Sequence, residues 1–139
     1  MSPVRPAVGN DLPAAAQLWH AEQVEVYGEA SAVCRPEDIF PFFRDVVMSA
    51  SDSIWVIEDG SVLRAMMALN LDSIAHLYVH PAVRRRGLGS RLIAHAKSLA
   101  PAGLSVHTTL RVAPFYARHG FLPLAASDWQ TEVDLEWRP

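Results

Sequence analysis

Arg84-Arg85-Arg86-Gly87-Leu88-Gly89-Ser90 is the stretch whose residue types and spacing could do chemistry. Three guanidinium groups precede two glycines one residue apart, the composition of a turn whose backbone can come close to an anion. From Leu88 the apolar positions Leu88, Leu92, Ile93, Ala96 and Leu99 form a helical stripe that closes at Ala100-Pro101. The first turn of that helix holds no Asp or Glu to complement its unpaired N–H groups and positive dipole. The chemistry indicated is the holding of a phosphorylated ligand.

The elements that must position this cradle follow from the flanking pattern. Ile74 to Val79 is β-branched, aromatic and apolar, and it stops at His80-Pro81, where proline can neither donate to a ladder nor leave His80 free to turn helical. A strand therefore feeds the basic turn and a helix leaves it. Leu104 to His107 reads as the next strand, so a right-handed crossover and a parallel pairing are expected. The cradle then lies at the carboxyl end of its strand, where open α/β sheets place ligands.

Charge separates the chain into two parts. Between Ser73 and Ser127 there is no acidic residue, but there are seven of the twelve Lys and Arg; the remainder holds all 15 acids. A net charge of −3 with one local basic centre suits a discrete phosphorylated ligand better than a nucleic-acid backbone, which calls for a basic domain. With 139 residues, half of them hydrophobic, the chain is expected to form a single domain over residues 1–139. No apolar run reaches membrane-spanning length and no secretory pattern opens the chain, so a soluble cytoplasmic protein is expected. Cys34 is the only cysteine; it excludes an internal disulfide and a cysteine metal cluster, and reads as a small loop residue.

In chain order, Ser2 to Pro6 reads as an edge strand. A helix begins after Asn10-Asp11 and runs to about Tyr27, with Leu12, Ala15, Ala16, Trp19 and Gln23 on one face and Leu18 beside it. Its far end is acidic: Glu22, Glu25 and Glu29, with Tyr27 among them, either face solvent or line an entrance for a cationic substrate. A second helix from Pro36 to about Ala50 is expected to break at Pro41, giving a short turn before Phe42 to Met48. Phe40, Phe42 and Phe43 around the break supply core and could wall a pocket. Ser53 to Glu58 and Ser61 to Leu69 flank Asp59-Gly60, a hairpin signal. A brief helix from Val112 to Arg118 and strands at Phe121–Leu124 and Glu132–Trp137 complete the chain, Ser127-Asp128 lying in the last loop. The apolar final strand could extend a partner's sheet in a homodimer.

Val79-His80-Pro81 followed by Arg84-x-x-Gly87-x-Gly89 resembles the acyl-CoA signature of the GNAT N-acetyltransferases. Pro114-Phe115-Tyr116-Ala117-Arg118-His119-Gly120-Phe121 is similar to that family's downstream block, an aromatic-Tyr pair before a Gly-Phe pair. The order of elements fits from Val4 to Trp137. The resemblance implies an α/β fold: a central, mostly antiparallel sheet with one parallel, splayed strand pair, flanked by helices. It implies an acetyl-CoA-dependent N-acetyltransferase acting on a primary amine of a small molecule or peptide by direct attack, with no metal. The coenzyme A site would comprise Leu77, Tyr78, Val79, Arg84, Arg85, Arg86, Gly87, Leu88, Gly89, Ser90, Thr109 and Phe115. Within it, backbone N–H groups from Arg85 to Ser90 would take the pyrophosphate, and Leu77 to Val79 the pantetheine arm.

Tyr116 would then be the general acid for the thiolate, and the Val79 N–H would stabilise the oxyanion. Thr109 stands where the family often has Asn or Ser. No glutamate lies on Ile74 to Val79, where some members keep a base, so His76 takes that assignment, with His80, His107 or an ordered water chain as alternatives. Glu25, Tyr27 and Glu29 are the acceptor-side residues. Two other classes compete: a non-catalytic acyl-CoA-binding module using the same cradle, and a nucleic-acid-binding domain using Arg84 to Arg86. The glycines and the acidic remainder count against the latter.

Overall fold

The computed structural model describes residues 2–28, 35–124 and 131–139. Its elements are β1 (Arg5–Pro6), α1 (Leu12–Tyr27), α2 (Pro36–Phe42) continued by a π-helical segment (Phe43–Met48), β2 (Ser53–Asp59), β3 (Val62–Asn70), β4 (Ser73–Val79), α3 (Leu88–Leu99), β5 (Leu104–Thr109), α4 (Ala113–Ala117), β6 (Leu122–Pro123) and β7 (Glu132–Trp137). The strands form one sheet in the order β1-β2-β3-β4-β5-β7-β6. Neighbours run antiparallel except β4 and β5, which are parallel. This is the expected fold class.

The sheet is buried on both faces, and β3 shows why its sequence is nearly continuous in apolar residues. Ala65, Met67 and Leu69 pack on one side with Leu92, Ile93 and Ala96 of α3 and with Tyr116 and Phe121. Met66 and Ala68 pack on the other with Ala15, Leu18 and Trp19 of α1 and with Ile39, Phe43 and Val47. Alternation sends successive side chains to opposite layers, so both must be apolar.

Three expectations change in detail. Pro41 lies inside α2, and the discontinuity comes after it, where the Ser49 N–H reaches the Arg44 carbonyl at 3.2 Å in a widened turn. The helix keeps Pro41 and widens downstream of it, without an intervening turn. β5 runs two residues beyond His107, so Thr108 and Thr109 are strand residues. The final strand β7 is paired along its length with β5 and, at Leu135 and Glu136, with β6 on the other side; the outer strands are β1 and β6.

The feature that makes the site is a fault in the ladder. β4 and β5 pair only at Ser73↔Ser105 and Ile74↔Val106. On the other side of β4 the register with β3 steps from Leu69↔Ile74 to Ala68↔His76, so Ala75 is an extra residue without an opposite number. Such a bulge bends its strand and increases its twist. It comes directly after the last parallel pair, and from there β4 and β5 diverge.

Candidate active site

The divergence opens a cleft of about 710 Å³. Its walls are β4 from Ile74 to Val79, β5 from Val106 to Thr109, the C-terminal half of α1, the first turn of α3, and α4. The backbone of β4 faces this gap with unused donors. The His80 N–H bonds to the Arg64 carbonyl at 2.8 Å, which makes Arg64 and His80 a bonded pair. By alternation the N–H and C=O groups of Val79 and Leu77 point away from β3, toward the side where β5 has departed. The Val79 carbonyl accepts from Arg84 Nε at 3.0 Å; its N–H has no ladder partner.

At the far end, Gly87 precedes α3 at φ +80° and Arg85 also has a left-handed backbone, at φ +68°. The first helical bond is donated by Arg91 to the Gly87 carbonyl, so the N–H groups of Leu88, Gly89 and Ser90 have no intrahelical acceptor. No acidic side chain stands in that turn. Gly89 is required for a different reason. A Cβ there would lie 3.0 Å from two ring atoms of Phe115, so its absence lets α4 close onto α3.

Tyr116 is 4% exposed, with its ring edge-on to Phe115 (5.1 Å between centroids) and Phe121 (5.4 Å). It lines the cleft, and burial, aided by the negative charge of Glu22, pushes its phenol well up, so the proton stays on oxygen at neutral pH. Thr109 also lines the cleft, and its Oγ1 is buried with no hydrogen-bond partner among the described residues. On β4, His76 Nδ1 lies 3.0 Å from Glu22 Oε1 of α1.

Glu25 is one turn further along α1 and in a different condition. Arg84 grips it with two bonds, at 2.9 and 2.6 Å, and the Tyr78 hydroxyl donates to it at 2.8 Å. The Arg84 guanidinium holds the Glu25 carboxyl below the usual carboxylate range, while burial and Glu25 push the Tyr78 phenol up to about 12. Glu25 therefore presents little net charge to a ligand. Arg84 lines the cleft but is likewise committed, to Glu25 and the Val79 carbonyl; Arg85 lines the cleft beside it. Arg86 lies outside the cleft, 3.4 Å from Asp59.

The other expected residues distribute as follows. Leu77, Gly87, Leu88, Ser90, Phe115 and Tyr27 all line the cleft. His107 lines its rim between Asp134 (2.7 Å) and Glu132 (3.0 Å), whose hydrogen bonds raise its pKa. His80 has a structural role, because its Nδ1 accepts from the Ala82 N–H at 3.1 Å and caps the turn Pro81–Val83. None of Phe40, Phe42 and Phe43 lines the cleft; Phe43 is core and Phe42 is exposed. Glu29 and Cys34 lie outside the described residues, as does Ser127-Asp128. Glu22, expected at the acidic end of α1 either to face solvent or to line an entrance, lines the cleft, and it continues the Ala15, Leu18, Trp19 stripe at helical spacing; Arg111 is an additional cleft residue.

Residues 50–123 match the acetyltransferase (GNAT) domain, and the chain belongs to that family. No curated protein matches it in sequence. Among solved structures it is similar to an acetyltransferase from Thermus thermophilus, at 13% identity, full coverage of both chains and a TM-score of 0.76. A GCN5-related N-acetyltransferase from Rhodopseudomonas palustris shares 21% identity over all of this chain and 96% of its own, with a TM-score of 0.73. The PaiA N-acetyltransferase from Thermoplasma acidophilum, solved in complex with coenzyme A, shares 13% identity over 100% and 99% of the two chains, with a TM-score of 0.71.

Two stability measurements test this geometry. Gly89→Ala should overpack the contact with Phe115 and lower the unfolding free energy by about 1–3 kcal/mol in a urea titration. Glu25 has a depressed folded-state pKa, so its contribution is complete above the unfolded carboxylate value of about 4.3 and disappears as pH falls through the folded value. The stability gap between wild type and Glu25→Gln should therefore be constant near neutrality and shrink below about pH 4.

Proposed function

We propose that the protein transfers the acetyl group of acetyl-CoA to a primary amine of a small molecule or peptide, in the cytoplasm, by direct attack. The observation that carries this reading is the set of polar groups left along one path: the N–H groups of Leu77 and Val79, buried Thr109 Oγ1, and the unpartnered first turn of α3. They fit an extended ligand that is amide-bearing in its middle and anionic at one end. Bound acetyl-CoA supplies the activated acyl group and a thiol leaving group.

The protein's residues do the rest. The N–H groups of Leu88, Gly89 and Ser90, with Arg85 beside them, bind the pyrophosphate. Leu77 N–H and Thr109 Oγ1 hold the pantetheine amides, and Phe115 packs against the arm. Val79 N–H donates to the carbonyl oxygen as negative charge gathers there. His76 takes the proton of the attacking amine, and Tyr116 donates to the departing sulfur. The Tyr27 and Glu22 end of α1 admits the amine from the side opposite the cradle. Arg84 serves the reaction indirectly, by bracing the end of β4 against α1.

A thiol-release assay over a panel of primary amines tests the reading. At least one amine should release coenzyme A stoichiometrically with amide, and Tyr116→Phe should lower kcat by about 100-fold or more while affinity for coenzyme A stays within about twofold. Tight coenzyme A binding with no thiol from any amine would make the protein a binding module. Unchanged turnover in Tyr116→Phe would remove that residue from its role.

A further inference from the structure

Glu22 and Glu25 are three residues apart on α1, and both reach the cleft. The charge of Glu25 is consumed by Arg84. Glu22 has no Lys or Arg partner among the described residues; its contacts are His76 and the side-chain amide of Gln23, at 3.2 Å. Its side chain is 15% exposed, on the apolar stripe of the helix, a costly place for a carboxylate that serves no purpose. Its field reaches Tyr27, Tyr78 and Tyr116, all the tyrosines of the chain, so it stands close to where the reaction would occur.

The contact with His76 has a chemical consequence. A neutral imidazole carries one N–H, and a carboxylate 3.0 Å from Nδ1 can only accept, so the proton belongs on Nδ1 and the lone pair on Nε2. The ring is held by β4, one residue after the bulge at Ala75, and so belongs to the part of the strand that faces the opened gap.

We propose that Glu22 is a positioning residue for acetyl transfer: its carboxylate fixes His76 as the Nδ1–H tautomer, leaving Nε2 to receive the proton of the attacking amine. This rests on the acetyltransferase reading above. As the amine nitrogen bonds to the acetyl carbon and the carbon–sulfur bond breaks, His76 Nε2 gains the amine proton and the sulfur gains that of Tyr116. The proton on the imidazolium then returns to the tyrosine oxygen through solvent, so both residues end as they began. Glu22 stabilises the transient imidazolium, while the Glu25 and Arg84 pair stays neutral beside it.

The test has two arms. In nitrogen-15 imidazole spectra of the intact protein, at a pH where imidazole is neutral, His76 should be the Nδ1–H tautomer in wild type and change to Nε2–H in Glu22→Ala. An Nε2–H tautomer in wild type would overturn the inference even if the variant fails to fold. In the amine assay, Glu22→Ala should lower kcat about 10- to 100-fold with the acetyl-CoA KM within about twofold, and Glu22→Asp should recover part of the loss. In a His76→Ala background the Glu22 substitution should cost nothing further. Additive losses would overturn the coupling. Failure of the parent reading is distinguishable, because wild type would then release no thiol from any amine.

Discussion

The site depends on the place where β4 and β5 stop being a sheet. A parallel pair joined by a helix would ordinarily continue to the ends of its strands, since each ladder bond forgone leaves a donor to be satisfied elsewhere. Here two pairs form and then Ala75 is inserted on β4, so the strand bends away from β5. β5 keeps its full pairing with β7 on the other side, from Leu104↔Trp137 to Thr109↔Glu132, and the sheet survives the fault. The unpaired donors of β4 stay open to a ligand because the core on both faces holds the strand in place without them.

The second organising element is the way α1 is tied across the opening. Arg84 leaves the end of β4, balances the charge of Glu25 and donates to the Val79 carbonyl, and Arg111 donates to the Glu25 carbonyl at 3.0 Å. Two basic groups thus meet the carboxyl-terminal turn of α1, where the helix dipole favours them. The clamp fixes the separation between the helix and the cleft, and with it the reach of Glu22 to His76. Two glutamates one turn apart consequently have different fates, one neutralised as structure and one retained beside the phenols.

Much of this was legible in the sequence because it is local. The strand, basic turn and helix around Gly87 and Gly89, the Asp59-Gly60 hairpin and the inward face of α1 all follow from spacing and turn chemistry over a few residues. What was not legible needs two distant segments at once. The bulge at Ala75 carries no glycine or proline to mark it and exists only in the register with β3. The three arginines read as one cluster, yet Arg84 is taken by Glu25 and Arg86 turns to Asp59, both far away in the chain. His107 and His76 look alike as residue types, and only the carboxylates brought by β7 and α1 separate them. The internal position of β7 follows from topology, which periodicity does not encode.

The central claim is that the backbone of β4, released from β5, is the cofactor's seat. Amide hydrogen exchange with and without saturating coenzyme A measures this directly. The amides of Leu77 and Val79, and of Leu88 to Ser90, should slow by at least about tenfold on binding, a change of roughly 1.4 kcal/mol in opening. Those of Tyr78 and His80, already bonded to β3, should change far less. Binding that leaves Leu77 and Val79 unprotected, with the changes confined to other surfaces, would contradict the claim.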